Sequence, residues 1–116
     1  MTELADRRCE PCHGGMAPLT RAAADELLLR LDPAWTLDET AGSLRREFNF
    51  RDFYRTMSFV NALAHVANIE DHHPDLEVSY SSCKVRYSTH AIGGLSENDF
   101  ILAAKIDAIP LSQKKN

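Results

Sequence analysis

The sequence predicts an α+β fold in which a four-stranded antiparallel sheet is covered on one face by helices, in the order α-β-β-α-β-β-α. Three stretches repeat apolar residues at the spacing of amphipathic helices. Between them lie stretches that alternate apolar and polar residues, as half-buried strands do. Turn residues separate these stretches, and no internal repeat competes with the order.

The first helix and hairpin are predicted within residues 20–50. The helix has an apolar stripe made of Ala24, Leu27, Leu28 and Leu31. It ends before Asp32-Pro33, because the residue before a proline disfavours helical backbone. The turn-rich segment 38–43 then leads into a strand, the second arm of the hairpin. The alternating residues of this strand are Leu44, Arg46, Phe48 and Phe50.

The second helix and hairpin are predicted within residues 53–89. The stripe of this helix is Phe53, Met57, Val60, Ala64 and Ala67. The two strands have inward residues Leu76, Val78 and Tyr80 in one and Val85, Tyr87 and Thr89 in the other, with a turn at Ser81-Ser82. This alternation predicts that Tyr80 is a core residue.

The third helix is predicted to begin at Ser96-Glu97-Asn98-Asp99, which has the pattern of a capping box. It ends before Pro110, since proline cannot continue a helix. We expect a single domain at 19–111, a flexible amino-terminal tail at 1–18 and a polar carboxyl-terminal tail at 112–116. A chain of 116 residues is long enough for one hydrophobic core and too short for two.

Charge and composition narrow the class of protein. A net charge of -4 gives no general attraction to phosphate backbones, which argues against a primary role in binding nucleic acid. No apolar run approaches the length of a membrane span, and the amino terminus lacks a hydrophobic signal core. We therefore expect a cytoplasmic protein that uses neither a membrane nor nucleic acid as a partner.

Cys9, Cys12 and Cys83 are an odd number of thiols in a chain without an export signal, so we expect them to be reduced. Cys9 and Cys12, followed by His13, could supply three zinc ligands. A second ligand pair at zinc-site spacing is missing, and one Cys-x-x-Cys is a weak signal. Zinc binding and redox activity therefore remain alternatives to the interpretation of this segment as a flexible tail.

His72-His73-Pro74 is the motif that most clearly indicates chemistry. Imidazole has an unperturbed pKa nearest to neutral pH, so clustered histidines suggest a site that gives and takes protons. The backbone before a proline is extended, which should point the side chains of His72 and His73 in different directions. The alternative is a surface turn in which Pro74 ends the helix.

The spacing of the residues around this motif resembles a known family. The run contains, in this order, Asn68, three residues, His72-His73-Pro74, five residues, Tyr80, nine residues, His90, eight residues and Asp99. The run is similar to the signature of the pterin-4a-carbinolamine dehydratases. The first signature position usually carries an acidic or otherwise charged residue, and here it is Asn68.

The resemblance implies a hydro-lyase that converts 4a-hydroxytetrahydrobiopterin to quinonoid dihydropterin and water, recycling the pterin cofactor of aromatic amino acid hydroxylases. It implies that His72 and His90 transfer protons and that His73 holds the pterin or its hydroxyl. Asp99 and Pro74 would bind or orient the substrate. The reaction would use neither a metal nor a redox cofactor. Family members are homodimers or homotetramers, and the polar face of the sheet could be solvated or could pack against a second subunit.

Three alternatives accompany these expectations. Asp99, three residues after the helix start, could cap the third helix alone or could also orient a catalytic histidine. A metal site could use His72, His73 and His90 with Asp71 or Asp99. A protein-binding role is also open, because some family members act as dimerisation cofactors for a transcription factor.

Overall fold

The computed structural model describes residues 3–10 and 16–110. The predicted α+β fold and its element order are confirmed in these residues. The elements are α1 (Arg21–Leu28), β1 (Thr36–Leu37), β2 (Leu44–Asn49), α2 (Phe53–Glu70), β3 (Asp75–Val78), β4 (Ser82–Tyr87) and α3 (Glu97–Asp107). The strands form one antiparallel sheet in the order β1-β2-β4-β3, so β2 and β4 lie inside the sheet.

Each of the three helices begins at a polar side chain that caps its first turn. Thr20 accepts a hydrogen bond from the backbone N–H of Ala23 at 3.1 Å, and Asp52 accepts one from that of Arg55 at 2.9 Å. Ser96 and Asp99 form the predicted capping box at the start of α3. These side chains satisfy donors that have no partner within the helix, so the boundaries are encoded locally.

The two faces of the sheet differ in polarity. The apolar inward residues of β2 and β4 are buried, and Phe48 packs against Trp35 and Phe59 with ring centroids 6.1 and 4.6 Å away. On the outer face, Lys84 pairs in register with Glu47 on one side and Glu77 on the other. This charged face is exposed in the part of the chain that the structure describes.

The apolar stripe predicted for α2 is only partly right, because Ala67 is buried and Val60 packs against the core whereas the other end of the stripe is exposed. The buried face is Thr56, Phe59, Leu63 and Ala67, and of the predicted stripe Phe53 is 47% exposed. Thr56 can lie in the core because its hydroxyl is within hydrogen-bond distance of the carbonyls of Asp52 (2.9 Å) and Tyr80 (3.1 Å). The pattern of apolar residues in the sequence does not show that a threonine is buried with its hydroxyl hydrogen-bonded.

The prediction of Tyr80 as a core residue is also wrong. Its exposed fraction is 66%, because β3 ends at Val78 and Tyr80 lies in the turn, where strand alternation no longer applies. Its ring stacks on that of Phe53 at the surface, with centroids 6.3 Å apart.

Residues 3–10 lie against α3. Leu4 is 3% exposed and belongs to the core, Arg7 pairs with Glu97 at 2.8 Å, and Nζ of Lys105 donates to the carbonyl of Ala5 at 2.8 Å. The domain boundary at residue 19 and the carboxyl-terminal tail stay predictions, whereas residues 3–10 of the predicted flexible tail are packed on the domain. Cys12, His13 and residues 111–116 lie outside the described residues. None of the described helices has the length and hydropathy needed to cross a membrane.

Candidate active site

The first histidine pair leaves α2 through a sharp change of backbone direction. Asp71 follows the helix with φ 52° and ψ 44°, the left-handed conformation that commonly ends helices. The backbone N–H of His72 then bonds to the carbonyl of Ala67 at 3.1 Å. The side chain of His72 is 13% exposed, whereas His73 lies at the surface. The two imidazoles therefore occupy different environments, as their position before Pro74 predicts.

His72 and Asp99 form the central contact of the site. Nε2 of His72 lies 2.6 Å from Oδ1 of Asp99, whose side chain is completely buried. Oδ2 of Asp99 accepts hydrogen bonds from the hydroxyl of Thr89 at 2.8 Å and the backbone N–H of Ser96 at 3.0 Å. An ionised carboxylate can only accept, so Nε2 of His72 carries the hydrogen. Asp99 thus caps α3 and also holds the imidazole of His72. The other ring nitrogen of His72, Nδ1, takes no part in this contact.

Tyr87 lies beneath His72 and was not predicted as part of the site. The two rings are nearly parallel, at 5°, with centroids 5.9 Å apart. Burial, reinforced by the charge of the Asp99 carboxylate, raises the pKa of Tyr87 well above its usual value, so the phenol is neutral. Its hydroxyl has no hydrogen-bond partner within the described ranges. Strand alternation assigns Tyr87 to the core but cannot reveal which ring it meets.

His73 and His90 are held by different local structures. Nε2 of His73 lies 3.0 Å from Oδ1 of Asn68, which belongs to the last turn of α2. His90 is exposed and begins a short 3₁₀ turn, His90–Ile92. Gly93 ends this turn with φ 68°, a conformation that glycine adopts without strain. The signature position Asn68 therefore contacts a histidine through an amide oxygen.

A cavity of about 450 Å³ brings the three predicted histidines together. His72, His73 and His90 line it, together with Cys9, Glu10 and Glu70 among others. Of the other predicted site residues, Asp99 and Pro74 are not among the lining residues, and Asp99 reaches the cavity only through its contact with His72. A concavity of similar size, about 430 Å³, lies on the outer sheet face and contains none of the histidines.

The metal alternative finds no support in the geometry. Within residues 3–10 and 16–110, no three or more His, Cys, Asp and Glu side chains are grouped to hold a metal ion. Cys9 and Cys83 are free thiols. Burial, and next the neighbouring Glu70 carboxylate, raise the pKa of Cys9 to about 12, so its thiolate form, the one that binds metals, is scarce at neutral pH.

Comparison with known proteins decides the family. The family model described as pterin 4 alpha carbinolamine dehydratase matches residues 17–109. The chain belongs to the pterin-4a-carbinolamine dehydratase family. This dehydratase-family chain is 53% identical to a protein of Nitrosomonas eutropha over 110 residues, 95% of this chain and 96% of the relative. It is 52% identical to a protein of Nitrosomonas europaea over 107 residues, 92% of this chain and 93% of the relative. Both relatives carry the provisional name pterin-4-alpha-carbinolamine dehydratase.

A solved structure from Brucella melitensis extends this likeness to the fold. It is described as a transcriptional coactivator/pterin dehydratase and superposes with a TM-score of 0.76 at 30% identity. The match covers 83% of this pterin dehydratase family member and 99% of the Brucella chain. The resemblance noted from the histidine spacing is thus confirmed at the level of the family.

Proposed function

We propose that this family member is a 4a-hydroxytetrahydrobiopterin dehydratase, a hydro-lyase that recycles the pterin cofactor of aromatic amino acid hydroxylases. The observation that carries the proposal is the 2.6 Å contact between His72 and the buried Asp99, beside His73 and His90 in one cavity. Proton donors and acceptors that work near neutral pH are the groups such an elimination requires. The size of the cavity, about 450 Å³, is within the range of small-molecule sites.

The reaction needs one acid and one base. The C4a–O bond breaks as the departing hydroxyl takes a proton, the N5–H proton is removed, and the C4a=N5 double bond forms. We assign these two transfers to His72 and His90. His72 acts through Nδ1, because Asp99 occupies Nε2 and stabilises the ring when it is protonated. His73, held by Asn68, contacts the pterin or its hydroxyl.

The decisive test is an assay with 4a-hydroxypterin generated by an aromatic amino acid hydroxylase. We expect the protein to form quinonoid dihydropterin faster than the spontaneous dehydration. An unchanged rate would overturn the proposal. It would favour the second candidate, a protein-binding role, for which the observation is the Brucella relative described as a coactivator as well as a pterin dehydratase. The homodimer or homotetramer, the hydroxylase partner and the cytoplasmic location stay predictions from the sequence.

Treatment with a chelator is expected to leave turnover unchanged, because both proton transfers are assigned to imidazoles and neither uses an ion. The measurement compares kcat before and after dialysis against EDTA, with metal content determined in the same samples. Stoichiometric zinc whose removal abolishes turnover would contradict the assignment.

Replacing Tyr87 by leucine is expected to lower kcat about 5-fold, because an aromatic pair contributes about 0.5–1.5 kcal/mol and here holds the plane of the His72 ring. Tyr87→Phe keeps the stacked ring and should retain kcat within about 2-fold. The pH dependence of kcat separates positioning from simple loss of stability. Equal kcat and identical pH profiles in the leucine and phenylalanine variants would show that the stack does not position His72.

A further inference from the structure

The segment before the domain contributes to the cavity that the histidines line. Cys9 and Glu10 are among the lining residues, although they lie more than sixty positions before His72 in the sequence. The main chain of Glu10 forms two hydrogen bonds with the side chain of Asn98 in α3. The N–H of Glu10 donates to Oδ1 of Asn98 at 3.0 Å, and Nδ2 of Asn98 donates to the carbonyl of Glu10 at 2.6 Å. The main chain of Glu10 is therefore held at the site by specific bonds.

Glu70 provides the other attachment of this segment. Its Oε1 accepts the backbone N–H of Cys9 at 2.8 Å. Its Oε2 lies 3.2 Å from Nε of Arg8 and 4.0 Å from Nζ of Lys105, and the side chain is only 6% exposed. A carboxylate this deeply buried is costly unless it is paired and hydrogen-bonded. Two of its three partners belong to the segment, so the segment and the carboxylate stabilise each other.

Glu70 lies close to the catalytic histidines in the sequence and in the cavity. Glu70 is the last residue of α2 and lies two positions before His72. It lines the same cavity and ties that end of the helix to Arg8 and Cys9. The segment has separate anchors farther from the cavity, the buried Leu4 and the pair Arg7–Glu97. Loss of the Glu70 contacts should therefore loosen Arg8 and Cys9 beside the cavity, while Glu10 stays bonded to Asn98 and the rest of the segment stays attached.

We infer that Glu70 is a positioning residue that holds Arg8–Glu10 as part of the wall of the substrate pocket, and that this wall contributes to binding of the pterin. The inference rests on the proposed function for the identity of the ligand. The Cys9 side chain suits a flat heteroaromatic ring, because a neutral thiol behaves as a small, polarisable apolar group. The wall acts on affinity and leaves the proton transfers to the histidines.

The test uses 7,8-dihydrobiopterin, which lacks the 4a-hydroxyl and therefore cannot undergo the dehydration. For Glu70→Ala we expect Kd for this probe and KM for the substrate to rise about 10-fold, with kcat within about 2-fold. Hydrogen exchange at the Cys9 amide should become faster, since its acceptor is removed. Glu97→Ala is the matched control, because it breaks the ion pair at the other end of the segment. Its Kd, KM and Cys9 exchange should stay within about 2-fold of the wild type.

Glu70→Gln keeps a carbonyl acceptor for Cys9 while removing the charge, and decides the matter if Glu70→Ala does not fold. Its Kd should rise above the wild-type value, by less than about 10-fold. Faster exchange at Cys9 with unchanged Kd and KM, in either variant that folds, would overturn the role of the wall. Unchanged exchange at Cys9 in Glu70→Ala would overturn the attachment, and unchanged Kd and KM in Glu70→Gln would overturn the inference if only that variant folds. If the wild type binds the probe in a Glu70-dependent way without accelerating dehydration, the inference stands and the dehydratase proposal fails.

Discussion

His72→Ala and His90→Ala are each expected to lower kcat by about 10²-fold or more, because each removes a proton-transfer group that no neighbour replaces. His73→Ala should act mainly on KM, since its imidazole is assigned to holding the substrate. His72→Ala also removes one partner of the buried Asp99 carboxylate, so some stability should be lost with activity. The rates are measured with generated 4a-hydroxypterin, and circular dichroism verifies that each variant is folded.

His65 offers a matched control for these replacements. It is an exposed histidine of α2 and is not among the residues lining the cavity. His65→Ala should leave kcat and KM within about 2-fold of the wild type. Near-native kcat in both His72→Ala and His90→Ala would show that the catalytic assignment is wrong.

Asp99→Asn is expected to lower kcat by about 10²-fold, because it reverses the hydrogen bond to His72. The carbonyl oxygen of asparagine would have to accept from Thr89 and the N–H of Ser96, which turns its NH₂ group toward Nε2 of His72. Nε2 must then accept, and the hydrogen of the neutral ring moves to Nδ1, the nitrogen assigned to the substrate. The pH–rate profile should change as well, because the protonated ring loses the carboxylate that stabilises it.

Ser96→Ala separates this effect from helix capping. It removes the other side chain of the capping box and should cost about 1 kcal/mol of stability, while the contact between Asp99 and His72 remains. Its kcat should stay near that of the wild type. If Asp99→Asn also keeps kcat and an unshifted pH profile, Asp99 serves only the helix, and the predicted site reduces to the three histidines.

Local signals explain most of what the sequence predicted correctly. The start of α3 is encoded by Ser96 and Asp99, three residues apart, and the hairpins by alternation over short stretches. The apolar stripe of α2 was partly mispredicted because Thr56 is buried with the help of an acceptor from another segment, the carbonyl of Tyr80, beside that of Asp52 at the start of its own helix. A pattern of letters contains no information on such acceptors.

Some residues of the site could be predicted from the sequence and others could not. Histidine identity and spacing pointed to His72, His73 and His90, which the structure brings to one cavity. The stacking of Tyr87 on His72 and the contact of Glu70 with Cys9 join residues 15 and 61 positions apart. Neither pair has a periodic or motif signature, because each depends on how whole elements pack. Residues that complete the pocket were therefore found only with the fold.

The double engagement of Asp99 limits how this protein can be altered by selection or engineering. Its carboxylate starts α3 and fixes the imidazole of His72, so the two properties share one side chain. A substitution of Asp99 that raises thermal stability would therefore also change the group that holds the catalytic imidazole. Thermostable descendants should instead accumulate changes at the starts of α1 and α2, where Thr20 and Asp52 cap helices without touching a histidine.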